Sequence, residues 1–241
     1  MYNFAISLAV GLVIALGIRF GTNVGWIGSV VPGVIAMVGT YFVLARRIMK
    51  KLEGLFGEVQ KELMAQKFDK ALQTLDSGFV WAPWQFLVAQ QLHAQIGVLM
   101  YVKRDFDAAF PHLEKSFSRH WLAQGMLAVQ RYRKKDIAGM IATFERAVGV
   151  SKKEGLLWAT YAWCLEKENK HEEAVKVLAR AVAANPSDEK LKSALQALQN
   201  GKKLKLGKQY GEQWFQFHLE RVPPEMGGGM RGSRRVVFQR R

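Results

Sequence analysis

The sequence predicts an all-α protein: an N-terminal transmembrane helical hairpin, then an α-solenoid of about three to four helix–turn–helix units, a capping helix and a basic tail. Three observations carry this. Residues 1–45 contain a single charged group, Arg19. The middle of the chain repeats itself at about 34 residues. The net charge of +15, from 35 Lys+Arg against 20 Asp+Glu, sits almost wholly outside that middle. Taken alone, +15 suggests a nucleic-acid binder. Its distribution does not. Residues 52–200 hold 20 cations and 17 anions, while Arg46, Arg47, Lys50 and Lys51 follow the apolar region and residues 201–241 hold 10 cations and 3 anions. A hydrophobic fraction of 49% excludes a wholly disordered chain. One cysteine, Cys164, excludes an internal disulfide framework and a zinc site built on several thiolates.

Met1 to Ile18 and Phe20 to Ala45 are uncharged, and about 20 apolar helical residues cross a bilayer core. The segment Arg19-Phe20-Gly21-Thr22-Asn23 supplies a turn, so the first span is expected near residues 2–19 and the second near 26–45. Pro32 either kinks the second span or marks its first turn. A cleaved signal peptide fits poorly, because no Lys or Arg precedes the apolar stretch. The four cations at 46–51 belong on the cytoplasmic side by the positive-inside rule, which places the repeats and both termini there. Small residues recur every fourth position, at Ser7, Gly11 and Ala15 and at Gly21, Gly25, Ser29 and Gly33. That spacing suits close packing within the hairpin ahead of oligomerisation.

The repeat is clearest over Gly155 to Asp188. Trp158 comes early, small Ala162 sits mid-helix, and Asn169-Lys170 makes the turn. A second helix carries Ala174, Leu178 and Ala181 and stops at Asn185-Pro186. Thirty-four residues earlier stand Ala128, Phe144 and Ala147, with Lys134-Lys135-Asp136 as the turn of a unit from Trp121 to Glu154. Before that, Gly97, Phe106, Ala109 and Leu113 repeat the pattern around Arg104-Asp105, at a spacing shortened to 31. A divergent first unit is read from Gln66 to Ala71 and Leu75, with a long connection, Gly78 to Trp84. Its Trp81 and Trp84 either rest in the headgroup zone or fill the gap beneath a long loop. Glu189 to Asn200, with Leu191, Leu195 and Leu198 on one face, reads as a capping helix. The domains are thus a hairpin at 1–45, a basic segment at 46–51, a repeat domain at 52–200 and a tail at 201–241.

These units resemble the tetratricopeptide repeat, two antiparallel helices whose small residues permit close packing. The early aromatic is missing from the unit of Gly97, where His93 stands, and the glycine typical before each second helix is absent. The resemblance implies a concave groove lined by the first helix of each unit, receiving a peptide or helix. By position it is lined by Gln91, Val98 and Tyr101, by Leu122, Val129, Tyr132 and Arg133, and by Leu156, Trp163, Glu166 and Lys167. Ala94, Gly125 and Ala159 at its centre do not support the carboxylate clamp of some members, so an apolar or amphipathic segment of a partner is the expected ligand. The competing role of Val98, Val129 and Trp163 is packing between neighbouring helices.

No catalytic group, metal site or cofactor is expected. His93, His112, His120, His171 and His218 form no ligand pair of known spacing, and Gly227-Gly228-Gly229 lacks the Lys-Ser/Thr of a phosphate loop. In the tail, Lys202, Lys203, Lys205 and Lys208 precede an apolar patch at Tyr210, Trp214, Phe215, Phe217 and Leu219, and Arg234 and Arg235 stand near the end. The patch has both helical and strand-like spacing. Four roles are open: lying on anionic lipid together with Arg46, Arg47, Lys50 and Lys51, binding nucleic acid with aromatics stacked on bases, docking on an acidic protein, or folding back on the repeats. Lipid or protein contact is favoured, because the anchor holds the tail near a membrane. The resulting functional expectation is a membrane-anchored adaptor that presents a cytoplasmic groove. The alternative is a membrane-tethered nucleic-acid- or ribosome-associated factor acting through its tail.

Overall fold

A computed structural model of the chain describes residues 1–22 and 25–223. The fold is all-α, of the helical-repeat class, with two apolar helices ahead of the repeats. It divides into two units, Met1–Ala123 and Gln124–Arg241.

In the first unit, α1 (Tyr2–Gly21) and α2 (Trp26–Met64) form a hairpin. Both are long and apolar enough to cross a membrane. The small-residue stripes let the two helix backbones approach closely. A Cβ on Gly33 would lie 2.7 Å from the Gly11 carbonyl oxygen and from Ala15 Cβ. Ser7, Gly11, Ser29 and Gly33 are all buried, whereas Val13, Ile27, Ile35 and Phe42 face outward. Pro32 lies inside α2.

The second helix does not stop where its apolar stretch ends. It runs 39 residues, through the cations of 46–51, to Met64. Nothing in Arg-Arg-Ile-Met-Lys-Lys interrupts a helix, since Arg, Lys and Met are good helix formers. Its C-terminal part, from Ile48 on, pairs with α3 (Phe68–Ser77): Ile48, Leu52 and Val59 pack with Ala71 and Leu75. Buried Glu62 accepts a hydrogen bond from Thr74 Oγ1 at 2.8 Å and pairs with Lys70 at 3.2 Å. One helix therefore serves as both apolar stretch and first repeat helix, and it runs unbroken through the boundary expected at residue 45.

After a 3₁₀ turn at Gly78–Trp81, α4 (Val88–Val102) and α5 (Phe106–Glu114) form the next hairpin. The connection between them and α3 is tied to the start of α1. The Tyr2 and Asn3 amides donate to the carbonyls of Pro83 and Trp84 at 2.9 and 3.2 Å. Asn3 Nδ2 donates to Gln85 Oε1, and Gln85 Nε2 to the Tyr41 hydroxyl.

In the second unit, α6 (Trp121–Arg133) pairs with α7 (Ile137–Val150), and α8 (Gly155–Lys167) with α9 (His171–Ala184). The Arg131 guanidinium donates to Thr143 Oγ1 at 2.9 Å and to the Gly139 carbonyl, fixing α6 to α7. Phe144 stacks on Tyr161 with centroids 4.9 Å apart. Arg180 holds Glu145 in a two-pronged pair, both bonds 2.8 Å, while its guanidinium lies over Trp158. The capping helix α10 (Glu189–Gln199) starts on Asp188, whose carboxylate accepts from two backbone amides, and buries Leu191, Ala194 and Leu198. Leu195 is only half-buried.

The missing turn glycines have a visible consequence. Arg104, Lys135 and Asn169 stand at the same place in their turns, and each has a φ between 60° and 67°. The repeat thus places a non-glycine residue in the left-handed region each time, where Cβ meets the following carbonyl. In two of these turns the next residue offsets the cost: Asp105 and Asp136 cap the second helix by accepting from Ala108 and Gly139 amides.

Candidate functional site

In the second unit the expected groove is built from α6 and α8, and the structure places a segment of the chain's own tail in it. Leu204 to Phe217 forms two short helices, α11 (Leu206–Tyr210) and α12 (Glu212–Phe215), with Leu204, Leu206, Trp214, Phe215 and Phe217 buried. The Trp214 ring meets Trp163 edge-on at 5.4 Å, and Trp163 meets Tyr132 at 6.3 Å. Phe217 lies against Gly125, where a Cβ would come within 3.0 Å of its ring. Arg133 closes the contact: its guanidinium donates to the His218 carbonyl at 2.6 Å and to that of Phe217 at 3.4 Å. The Trp214 indole N–H donates to Glu220 at 2.8 Å, so this large side chain is fully buried with its polar atom satisfied.

The occupied face is built from antiparallel helix pairs of the helical-repeat class, and a comparison with known families agrees. The family model of the tetratricopeptide repeat matches residues 132–198. That tetratricopeptide segment covers α7 to α10 and the end of α6. Among curated proteins no relative of the chain is found.

Of the residues expected on the groove, Arg133 and Trp163 touch the tail directly. Val129 and Leu156 are buried, and Tyr132 and Leu122 are half-buried. At the open end of the tetratricopeptide segment, Lys167 lies over the Trp163 ring and Glu166 bonds His171 at 2.9 Å. In the first unit Gln91 and Val98 stay partly exposed on α4. Tyr101 differs from the exposed groove residue expected: it is fully buried and meets Phe106 edge-on at 5.0 Å.

The fold-back also revises the favoured reading of the tail. Its aromatics face the repeats while its lysines face solvent. Lys202, Lys203, Lys205 and Lys208 line a recess of about 660 Å³ with Ser193, Ala197 and Gln209. Arg234 and Arg235 lie outside the described residues. Sequence reasoning missed Trp214 and Phe217 as the groove's occupants, although their spacing of three, with Tyr210 a turn earlier, was the available signal.

A second collection of expected residues lies in the first unit. Arg47, Lys50 and Lys51 line a recess of about 550 Å³ with Asn3, Leu44, Ile48, Trp81 and Trp84. Lys51 Nζ sits 3.9 Å from the Trp81 ring centroid. Trp81 and Trp84 pack against the core beneath the long connection. Arg46 is exposed and does not line the recess.

Among the described residues no group of three or more His, Cys, Asp or Glu could hold a metal. His93 and His112 meet through Nδ1 atoms 3.0 Å apart. Burial, then the charges of His112 and Lys115, lower the pKa of His93; burial and Lys115 lower that of His112, against Asp76. Cys164 is fully buried in α8, and desolvation pushes its thiol well above the usual range, which suits packing and not nucleophilic attack.

Proposed function

We propose that the chain is a membrane-tethered protein-interaction module: two apolar helices hold it in a bilayer and its helical repeats receive a partner on the cytoplasmic side. The observation that carries this is the continuity of α2, which is apolar span at one end and repeat core at the other. A chain so built holds its first repeat at the membrane surface without a flexible linker. The partner is a protein segment with an apolar or amphipathic face, because the groove of α6 and α8 already accepts one. The tail occupies that groove through Trp214, Phe217 and the Arg133 contacts. A partner segment using the same face must displace it, while Gln91 and Val98 on α4 remain reachable.

The reading through nucleic acid is weaker. Aromatics that would stack on bases are buried, and only the lysines of the tail remain outward. The test combines membrane and partner. Alkaline carbonate should leave the chain in the pellet, and protease added to sealed cytoplasm-side-in vesicles should spare the repeats. A photo-crosslinker at Val98 should capture a protein in native membranes. Extraction by carbonate, or digestion of the repeats in sealed vesicles, would overturn the tether or its orientation.

A further inference from the structure

The recess between the hairpin and the long connection has a composition that neither a repeat core nor a general basic surface requires. Three cations, two tryptophans and the apolar Leu44 and Ile48 converge on it with Asn3, and no carboxylate is among the described residues that line it. A volume of about 550 Å³ is in the range that small ligands occupy. We infer that this recess is a binding site for one anionic phospholipid, with its phosphate held among Arg47, Lys50 and Lys51 and the start of an acyl chain along Leu44.

Its position along α2 selects a lipid over a free anion. At 1.5 Å per residue, Leu44 lies about 27 Å and Lys51 about 38 Å along the helix from Trp26. A hydrocarbon core about 30 Å thick therefore ends within the recess, with Leu44 on the acyl side and the cations on the headgroup side. Continuing toward the core on the same helical face, Met37, Val38 and Tyr41 line a second, apolar recess of about 310 Å³ with Phe4 and Phe86. The two tryptophans fit the same depth, since indole rings collect where acyl chains meet headgroups. The site is also held in shape. The Tyr2 and Asn3 amides bond the Pro83 and Trp84 carbonyls, Tyr2 meets Trp84 edge-on at 5.3 Å, and Lys51 rests on Trp81. A basic patch that only lies on a charged surface needs no such cradle.

This inference rests on the membrane-tether reading, and the experiment separates the two. The full chain, purified in neutral detergent, is titrated with phosphatidylglycerol or phosphatidylcholine of identical acyl chains, and retained lipid is read by native mass spectrometry. One phosphatidylglycerol should be held at least tenfold more tightly than phosphatidylcholine. The Arg47→Gln/Lys50→Gln variant spares the Lys51–Trp81 contact and should lose about 25-fold, at roughly fivefold per cation. Arg46→Gln/Lys61→Gln removes the same charge from the same helix outside the recess and should stay within twofold of the parent. Equal retention of the two lipids, or equal losses in the two variants, overturns the site. Displacement of the lipid by millimolar glycerol 3-phosphate assigns the recess to a soluble phosphate and overturns it as well. A chain that stays in carbonate-washed membranes yet shows no lipid preference refutes the site and leaves the tether standing; a chain extracted by carbonate refutes the tether.

Discussion

Trp214→Ala measures how much the docked tail contributes to the repeats. The ring is fully buried, meets Trp163 edge-on and donates to Glu220. A buried tryptophan removes about 150–250 Å² from water, which at about 25 cal/mol per Å² corresponds to about 4–6 kcal/mol. Truncations of this kind cost about 3–5 kcal/mol, since neighbours relax into part of the space. The loss has a ceiling. Once it exceeds the free energy of docking, the segment leaves and further damage to it costs nothing. Hydrogen exchange on the full chain in micelles reads this directly. At about 1.4 kcal/mol per tenfold, amides of residues 206–217 should lose about two to three and a half orders of magnitude of protection. Those of α8 near Trp163 should lose less, and Trp163 should become accessible to a soluble quencher. Protection of 206–217 within tenfold of the parent would refute the packing of the tail described above.

Three further outcomes follow from the same geometry. Arg104→Gly should stabilise the chain by up to about 1 kcal/mol in urea unfolding, because Arg104 pays a left-handed φ of 67° that glycine adopts freely; a loss would show that the turn needs the side chain. Cys164 should react with a thiol reagent only at the rate of unfolding, since it is fully buried with a raised pKa; rapid native labelling would contradict its burial. The His93–His112 pair has lowered pKa values when folded, so the unfolded chain takes up protons first as pH falls below about 6.5. Stability should therefore decline from pH 7 to 5 and level off once both forms are protonated, and His93→Asn/His112→Asn should flatten that slope; identical slopes would refute the contact.

The repeats were legible because helix packing constrains them at every turn. Ala128, Ala162, Ala174 and Ala181 are small where helices approach, and all four are buried. The expected starts at Trp121, Gly155 and Glu189 are the first residues of α6, α8 and α10. What was not legible depends on contacts distant in sequence or on the lack of a stop signal. Trp163 and Trp214 are far apart along the chain, and Tyr210 to Leu219 has mixed periodicity because it spans the end of α11, the turn at Gly211 with a φ of 57°, and the short α12. The end of the apolar span carries no structural mark, since the cations that follow it are as helical as what precedes them. Charge marked off the apolar stretch from the basic one near residue 45 but could not show that one helix runs through both.

That helix also fixes an angle. Within the first unit, α2 joins the hairpin to α3, while the Tyr2 and Asn3 amides join the hairpin to the connection beyond α3. The two attachments make a closed linkage, and a closed linkage transmits rotation. On the membrane tether proposed above, a hairpin that tilts to match a thinner or thicker bilayer carries the first repeat with it. Adding one residue to α2 between Ala45 and Leu52 would turn that repeat by about 100° and lift it about 1.5 Å, twisting Pro83 and Trp84 away from the amides that hold them. The length of α2 in residues thus acts as a gear setting between the hairpin and the first repeat.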